Sequence, residues 1–162
     1  MKTRSEKLPQ LGNAMFITDG GMETDLLFNY GIDLPEFASY DLLRSAEGKQ
    51  TLYDYFRIYI DIARRHKLGL VLETPTWRAN SDWGKRIGDS PESLADFNKA
   101  AVALIERVRD ELAGDDVIVV ISGCIGPRGD GYAPDSYLSA EESRQYHQKQ
   151  IAQFAETGAD LV

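Results

Sequence analysis

One cysteine, Cys124, stands among 162 residues. That excludes an intrachain disulfide framework and any multi-thiolate metal site built from this chain. The two histidines, His66 and His147, have no second His or Cys at ligand spacing, so both read as surface or helix-end residues. No run of about 18 consecutive apolar residues occurs, so nothing reads as a membrane span. The basic opening MKTRSEKLPQLGNAMF lacks the uninterrupted apolar stretch of a secretory signal. Basic residues are in the minority. Eighteen Lys and Arg against 26 Asp and Glu leave a net charge of −8, which repels phosphate-coated partners and argues against nucleic-acid binding. Repeats, low-complexity tracts and Pro/Gly/Ser-rich linkers are missing too. What remains is 43% hydrophobic and 27% charged, enough for one globular domain with a core. A reducing, cytoplasmic setting is the expectation from the cysteine usage.

Residues 1–13 are polar and read as a flexible N-terminal arm, with the folded unit over 14–162. Residues 14–18 form a short apolar, β-branched run that stops at Asp19-Gly20-Gly21, the pattern of a buried strand meeting a tight loop. Met22, Leu26 and Tyr30 then follow helical spacing, with Gly31 placed as a C-cap. Over 47–66, Leu52, Phe56, Tyr59 or Ile60, and Ala63 make one apolar stripe, and Arg64, Arg65, His66 and Lys67 suit the helix's negative end. A second strand over 68–72 closes in Glu73-Thr74-Pro75-Thr76, since Pro75 cannot continue a central strand. A polar loop with Asn80, Ser81, Asp82 and Gly84 follows. Ser90-Pro91 starts a helix whose stripe runs from Leu94 to Leu112 and ends at Gly114. The third strand, 117–121, is continuously apolar and so buried on both faces. A loop over 122–132 leads to a capping box at Ser139 and Glu142 and a helix reaching Gly158. Residues 159–162 open a fourth strand.

Apolar strands each followed by a helix predict an α/β fold with a parallel sheet. The alternation fits an open doubly wound sheet or part of a (β/α)8 barrel. A full barrel needs about 250 residues, so this length could supply only roughly half of one, with the apolar runs as its strands 1–4. Ligands in both architectures sit beyond the carboxyl ends of the strands. Asp19 there either meets a substrate ammonium, with the Gly20 and Gly21 amides receiving a carboxylate, or caps the next helix. Thr74 and Thr76 offer hydroxyl donors beside the apolar wall of Trp77, or Trp77 folds over the core at a turn. Glu73 has an arginine partner as its structural alternative. The glycine-rich third loop matches neither G-x-G-x-x-G nor G-x-x-x-x-G-K-[ST], which excludes a nucleotide cradle. Cys124 within it reads as a small buried residue rather than a reactive thiol.

These strand ends converge on a pattern. Residues 15–27, MFITDGGMETDLL, resemble the opening of the homocysteine S-methyltransferases: an apolar strand, D-G-[GA], then a helix with T-x-L. ETPTWRA over 73–79 is similar to that family's T-x-[ST]-[YF]-x-A segment. SGCIGPRGDG over 122–131 resembles its S-x-G-P-x-G loop, and 146–162 its F-H-x-x-Q-x-x-x-L-x-x-A-G-A-D-L-L stretch. The resemblance implies a TIM-barrel enzyme that moves a methyl group onto homocysteine sulfur, forming methionine. Its donors are small: S-methylmethionine, S-adenosylmethionine, betaine or methylfolate. It implies that Asp19 and Gly20 hold the amino-acid end of homocysteine, that Thr74 and Trp77 line the pocket with Thr76 adjacent, and that Phe37 faces the donor. It further implies zinc, which holds the thiol as a thiolate. The zinc ligands are three cysteines of the family's second half, none of which occurs here. The chain thus reads as a truncated N-terminal half, inactive alone. Trp77 in place of Tyr or Phe, with Pro75 and Arg78, departs from the family pattern and bears on donor preference. Two rivals stand beside this reading. One is a non-catalytic half-barrel that self-associates or binds a partner through exposed barrel edges. The other is an unrelated barrel or doubly wound enzyme using Asp19 and Glu73 as an acid–base pair.

Overall fold

Parallel pairing organises the molecule. In the computed structural model, which describes residues 8–133 and 137–162, β1 (Phe16–Thr18), β2 (Gly69–Glu73) and β3 (Val119–Ser122) lie in the order 1-2-3. Ile17 sits opposite Leu70, and Leu70 opposite Val119. Side chains alternate along a strand, so this register puts Ile17, Leu70, Leu72 and Ile121 on one face. Leu70, Leu72 and Ile121 are fully buried there, in the core beneath the helices. Phe16, Thr18 and Val71 share the opposite face, which keeps partial contact with solvent.

The helices follow from their caps and stripes. α1 (Met22–Phe28) is short and buries Met22 and Leu26. α2 (Ala46–His66) starts where Ser45 Oγ accepts from the Gly48 N–H, and buries Leu52, Tyr55, Phe56, Ile60 and Ala63. Its last turn carries Arg64, Arg65 and His66, which offset the dipole's negative end. α4 (Pro91–Val108) opens with a reciprocal Ser90–Ser93 capping box, and continues as a π turn over Arg109–Ala113 to Gly114. α5 (Ala140–Ala155) opens with the expected Ser139–Glu142 box and buries Phe154. Among the described residues, no helix is long and apolar enough to cross a membrane.

Two stretches differ from their sequence reading. The polar loop at Asn80–Gly84 belongs to a helix, α3 (Ser81–Ile87). Its loop-forming residues have helical uses. Asn80 is the N-cap, accepting from the Trp83 N–H, and Gly84 lets α4 approach so closely that a Cβ would lie 2.6 Å from Leu94 Cδ1. The fourth strand is a single parallel bridge from Ser122 to Leu161. The Gly123 N–H donates to the Leu161 carbonyl at 2.8 Å, and the Asp160 carboxylate takes the Ile121 N–H at 2.8 Å. Aspartate therefore occupies a ladder position that a fourth strand's backbone would otherwise fill. Of the N-terminal arm, residues 1–7 lie outside the described residues, and Pro9–Leu11 form one 3-10 turn. The carboxyl ends Thr18, Glu73 and Ser122 point to a common rim, as parallel strands must.

Candidate functional site

A cavity of about 250 Å³ opens at that rim. Asp19, Gly20, Thr74, Trp77 and Phe37 line it, joined by Glu23, Glu73, Cys124 and Tyr132. Five of the six residues singled out from the sequence thus meet in one space. The sixth, Thr76, is fully buried behind it.

Asp19 joins the first two strand ends. Its Oδ1 accepts from the Glu73 N–H at 3.1 Å. Burial pushes its pKa up to about 7, and the Glu73 charge adds to that, against the pull of the Glu73 amide hydrogen bond. The helix-capping alternative falls away, because Gly21 is the N-cap of α1 and no side chain caps it. The Gly20 N–H does not face a ligand: it donates to Tyr59 Oη at 3.0 Å, while Tyr55 Oη donates to the Gly20 carbonyl at 3.3 Å. Tyr55 and Tyr59 are contributors the sequence reading missed. They sit one turn apart on α2, and their rings follow the stripe of core residues. The signal available was a phenol pair at i, i+4 on the helix feeding β2.

Thr74 and Thr76 form a closed ring with the third loop. The Cys124 N–H donates to Thr74 Oγ1 at 2.8 Å, and Thr76 Oγ1 donates to the Cys124 carbonyl at 2.8 Å. The hydroxyls are 2.6 Å apart. Each has one proton, and that of Thr76 is taken by the carbonyl, so Thr74 is the donor between them. Both protons are therefore committed within the protein, and what Thr74 offers the cavity is its surface and a lone pair. Gly126 completes the junction, since a Cβ there would run into the Trp77 carbonyl.

The cavity's own charged lining has one sign. Among the described residues it holds three carboxylates, Asp19, Glu23 and Glu73, and no Lys, Arg or His. Burial, with Glu73 adjacent, pushes the Cys124 thiol well above its ordinary range, so it stays protonated and is no nucleophile at neutral pH. Glu73 forms no ion pair among the described residues, which sets aside its arginine alternative. Among the described residues, no three His, Cys, Asp or Glu side chains converge closely enough to hold a metal ion. The donor set does not fit a zinc site, which needs three or four converging ligands.

The homocysteine S-methyltransferase family profile matches residues 16–162. The chain belongs to the homocysteine S-methyltransferase family. All four motifs quoted from the sequence overlap that match. No curated protein matches the chain significantly. Among solved structures, it is similar to the homocysteine methyltransferase MmuM from Escherichia coli. Against the oxidized form, identity is 20% and the TM-score 0.70, covering 93% of this chain and 52% of the other. Against the metallated form, identity is 19% and the TM-score 0.66, covering 93% and 53%. The methyltransferase-family chain thus spans about half the length of these structures, and its three-stranded parallel sheet corresponds to part of their fold.

Proposed function

We propose that this chain supplies the substrate-binding part of a homocysteine S-methyltransferase. The cavity takes the amino-acid end of homocysteine, and the sulfur loses its proton and gains a methyl group from a small donor to give methionine. One observation carries the reading: a rim cavity lined by carboxylates, with no basic side chain among the described residues. An ammonium group entering it pairs with ionised Asp19, whose proton leaves as the cation arrives, because a nearby positive charge favours the carboxylate. Trp77 and Phe37 give the aliphatic part of the ligand an apolar wall. The Gly20 amide is occupied by Tyr59, so the Gly21 amide is the remaining backbone donor of that pair for the ligand carboxylate.

Sulfur activation is not assigned to this chain. Its one thiol is Cys124, and its described residues do not form the zinc site that the family resemblance implies. Calorimetric titration with L-homocysteine tests the binding half of the proposal. The chain should bind it, and Asp19→Asn should weaken binding by about tenfold or more, the worth of a charge-assisted hydrogen bond. Undiminished binding by the variant would refute the role of Asp19. With zinc and S-methylmethionine supplied, this chain by itself should show no turnover of homocysteine to methionine, and clear turnover would place the activating groups within it.

A further inference from the structure

Beside the cavity, one arginine gathers the aromatic side chains. The Arg78 guanidinium carbon lies 3.7 Å from the Trp83 ring centroid, 4.8 Å from that of Trp77 and 5.9 Å from that of Phe37. All three fall within cation–π range. Its Nη1 also donates to the Glu36 carbonyl, while its Nε is buried with no hydrogen-bond partner among the described residues. Glu36 and Phe37 have φ of 50° and 60°, a left-handed conformation that side chains other than glycine adopt at a cost. Arg86 stacks on Trp83 at 4.5 Å and lies 3.7 Å from the Glu36 carboxylate, so the same turn is pinned from α3 as well.

Trp77 and Phe37 line the cavity, whereas Arg78 does not. Arg78 therefore touches the cavity's aromatic wall from behind. We propose that Arg78 is a positioning residue. It holds the strained Glu36–Phe37 turn and the Trp77 ring together as one wall, and it sets the cavity's shape for its ligand without touching that ligand. A planar guanidinium is suited to this role, since it can stack on rings while donating in its own plane; a lysine ammonium keeps the charge and loses the plane. The inference rests on the reading of the cavity as the homocysteine pocket.

The chain has two tryptophans, Trp77 and Trp83, and both contact Arg78. Labelling with 5-fluorotryptophan therefore gives two ¹⁹F resonances, both in this cluster, assignable with Trp83→Phe. Arg78→Ala should increase the H₂O/D₂O isotope shift at Trp77 and broaden its line, as the ring gains solvent and mobility. The same variant should bind L-homocysteine about tenfold more weakly, and Arg78→Lys should recover part of both effects. A Trp77 resonance unchanged in Arg78→Ala overturns the proposal. So does an altered resonance with full homocysteine affinity. If the parent chain binds no homocysteine while Trp77 still responds to Arg78→Ala, the strut stands and the functional reading fails. Should Arg78→Ala lose its fold by circular dichroism, Arg78→Met, which keeps the stem and removes the charge, carries the comparison.

Discussion

Asp19 combines a structural bond with a titration near neutrality. Its ordinary pKa is 3.8, and in the folded chain it is raised to about 7. Between those values the native state holds a proton that the unfolded state has lost, so stability falls as pH rises from about 4 to 7 and stays lowered above that. Asp19→Asn removes the ionisation but keeps an oxygen that can accept from the Glu73 amide. The variant should be more stable than the parent at pH 8, by on the order of 2 kcal/mol once solvent screening of a partly exposed group is allowed for. The gap should vanish near pH 4. Urea unfolding across this range checks it, and a gap independent of pH would contradict the raised pKa. Homocysteine affinity should move the opposite way, tightening from pH 6 to 8 as the carboxylate ionises. At this scale the sequence was half legible. A carboxylate at an apolar strand's end, followed by two glycines, marked Asp19. Tyr55 and Tyr59 stayed hidden because helical spacing shows that a tyrosine ring is buried and says nothing of where its hydroxyl emerges.

Elements meet at the junction of the β2 and β3 loops, where the motif residues have reasons that periodicity could not show. Thr76 reads in the sequence as a hydroxyl donor for a substrate pocket, yet it is fully buried and satisfies the Cys124 carbonyl. Thr76→Val keeps the shape and leaves that carbonyl unpaired, which should cost about 1–3 kcal/mol in chemical denaturation. Gly126 belongs to the S-x-G-P-x-G resemblance, and its reason is contact: the third loop crosses the Trp77 backbone too closely for any side chain. Gly126→Ala should destabilise by about 1–3 kcal/mol as the loop is forced away, and should also shift the tryptophan emission. An unchanged emission would mean that the loop relaxes without moving Trp77. α3 shows the converse problem. Asn80 and Gly84 are loop formers by propensity; the fold makes Asn80 the cap of α3, and the neighbouring α4 makes Gly84 a close-packing site. Strong caps at Ser90 and Ser139 made α4 and α5 plain from sequence, because those signals are local.

Across the whole molecule, alternation of strands and helices specified a parallel sheet, while closure into a barrel was beyond any local pattern. Three parallel strands satisfy a barrel arc and an open sheet equally, and the likeness to barrel-sized structures of twice the length decides between them only at the level of the fold. The geometry has a consequence for solution behaviour. Among the described residues β1 is an edge strand, paired only with β2, and the Phe16–Thr18–Val71 face beside it keeps partial solvent contact. Met15, at the start of that edge, is 71% exposed and Leu11 79%. The far side of β3 is better protected, because Asp160 and Leu161 take its hydrogen-bonding groups. An unpaired apolar edge recruits other strands. The chain should therefore self-associate, its mass by light scattering rising with concentration. Met15→Lys, which places a charge at the open edge, should lower that mass without changing the melting temperature. A parent chain that stays monomeric at every concentration would show that the edge is already shielded, and association unaffected by Met15→Lys would locate the contact elsewhere on the surface.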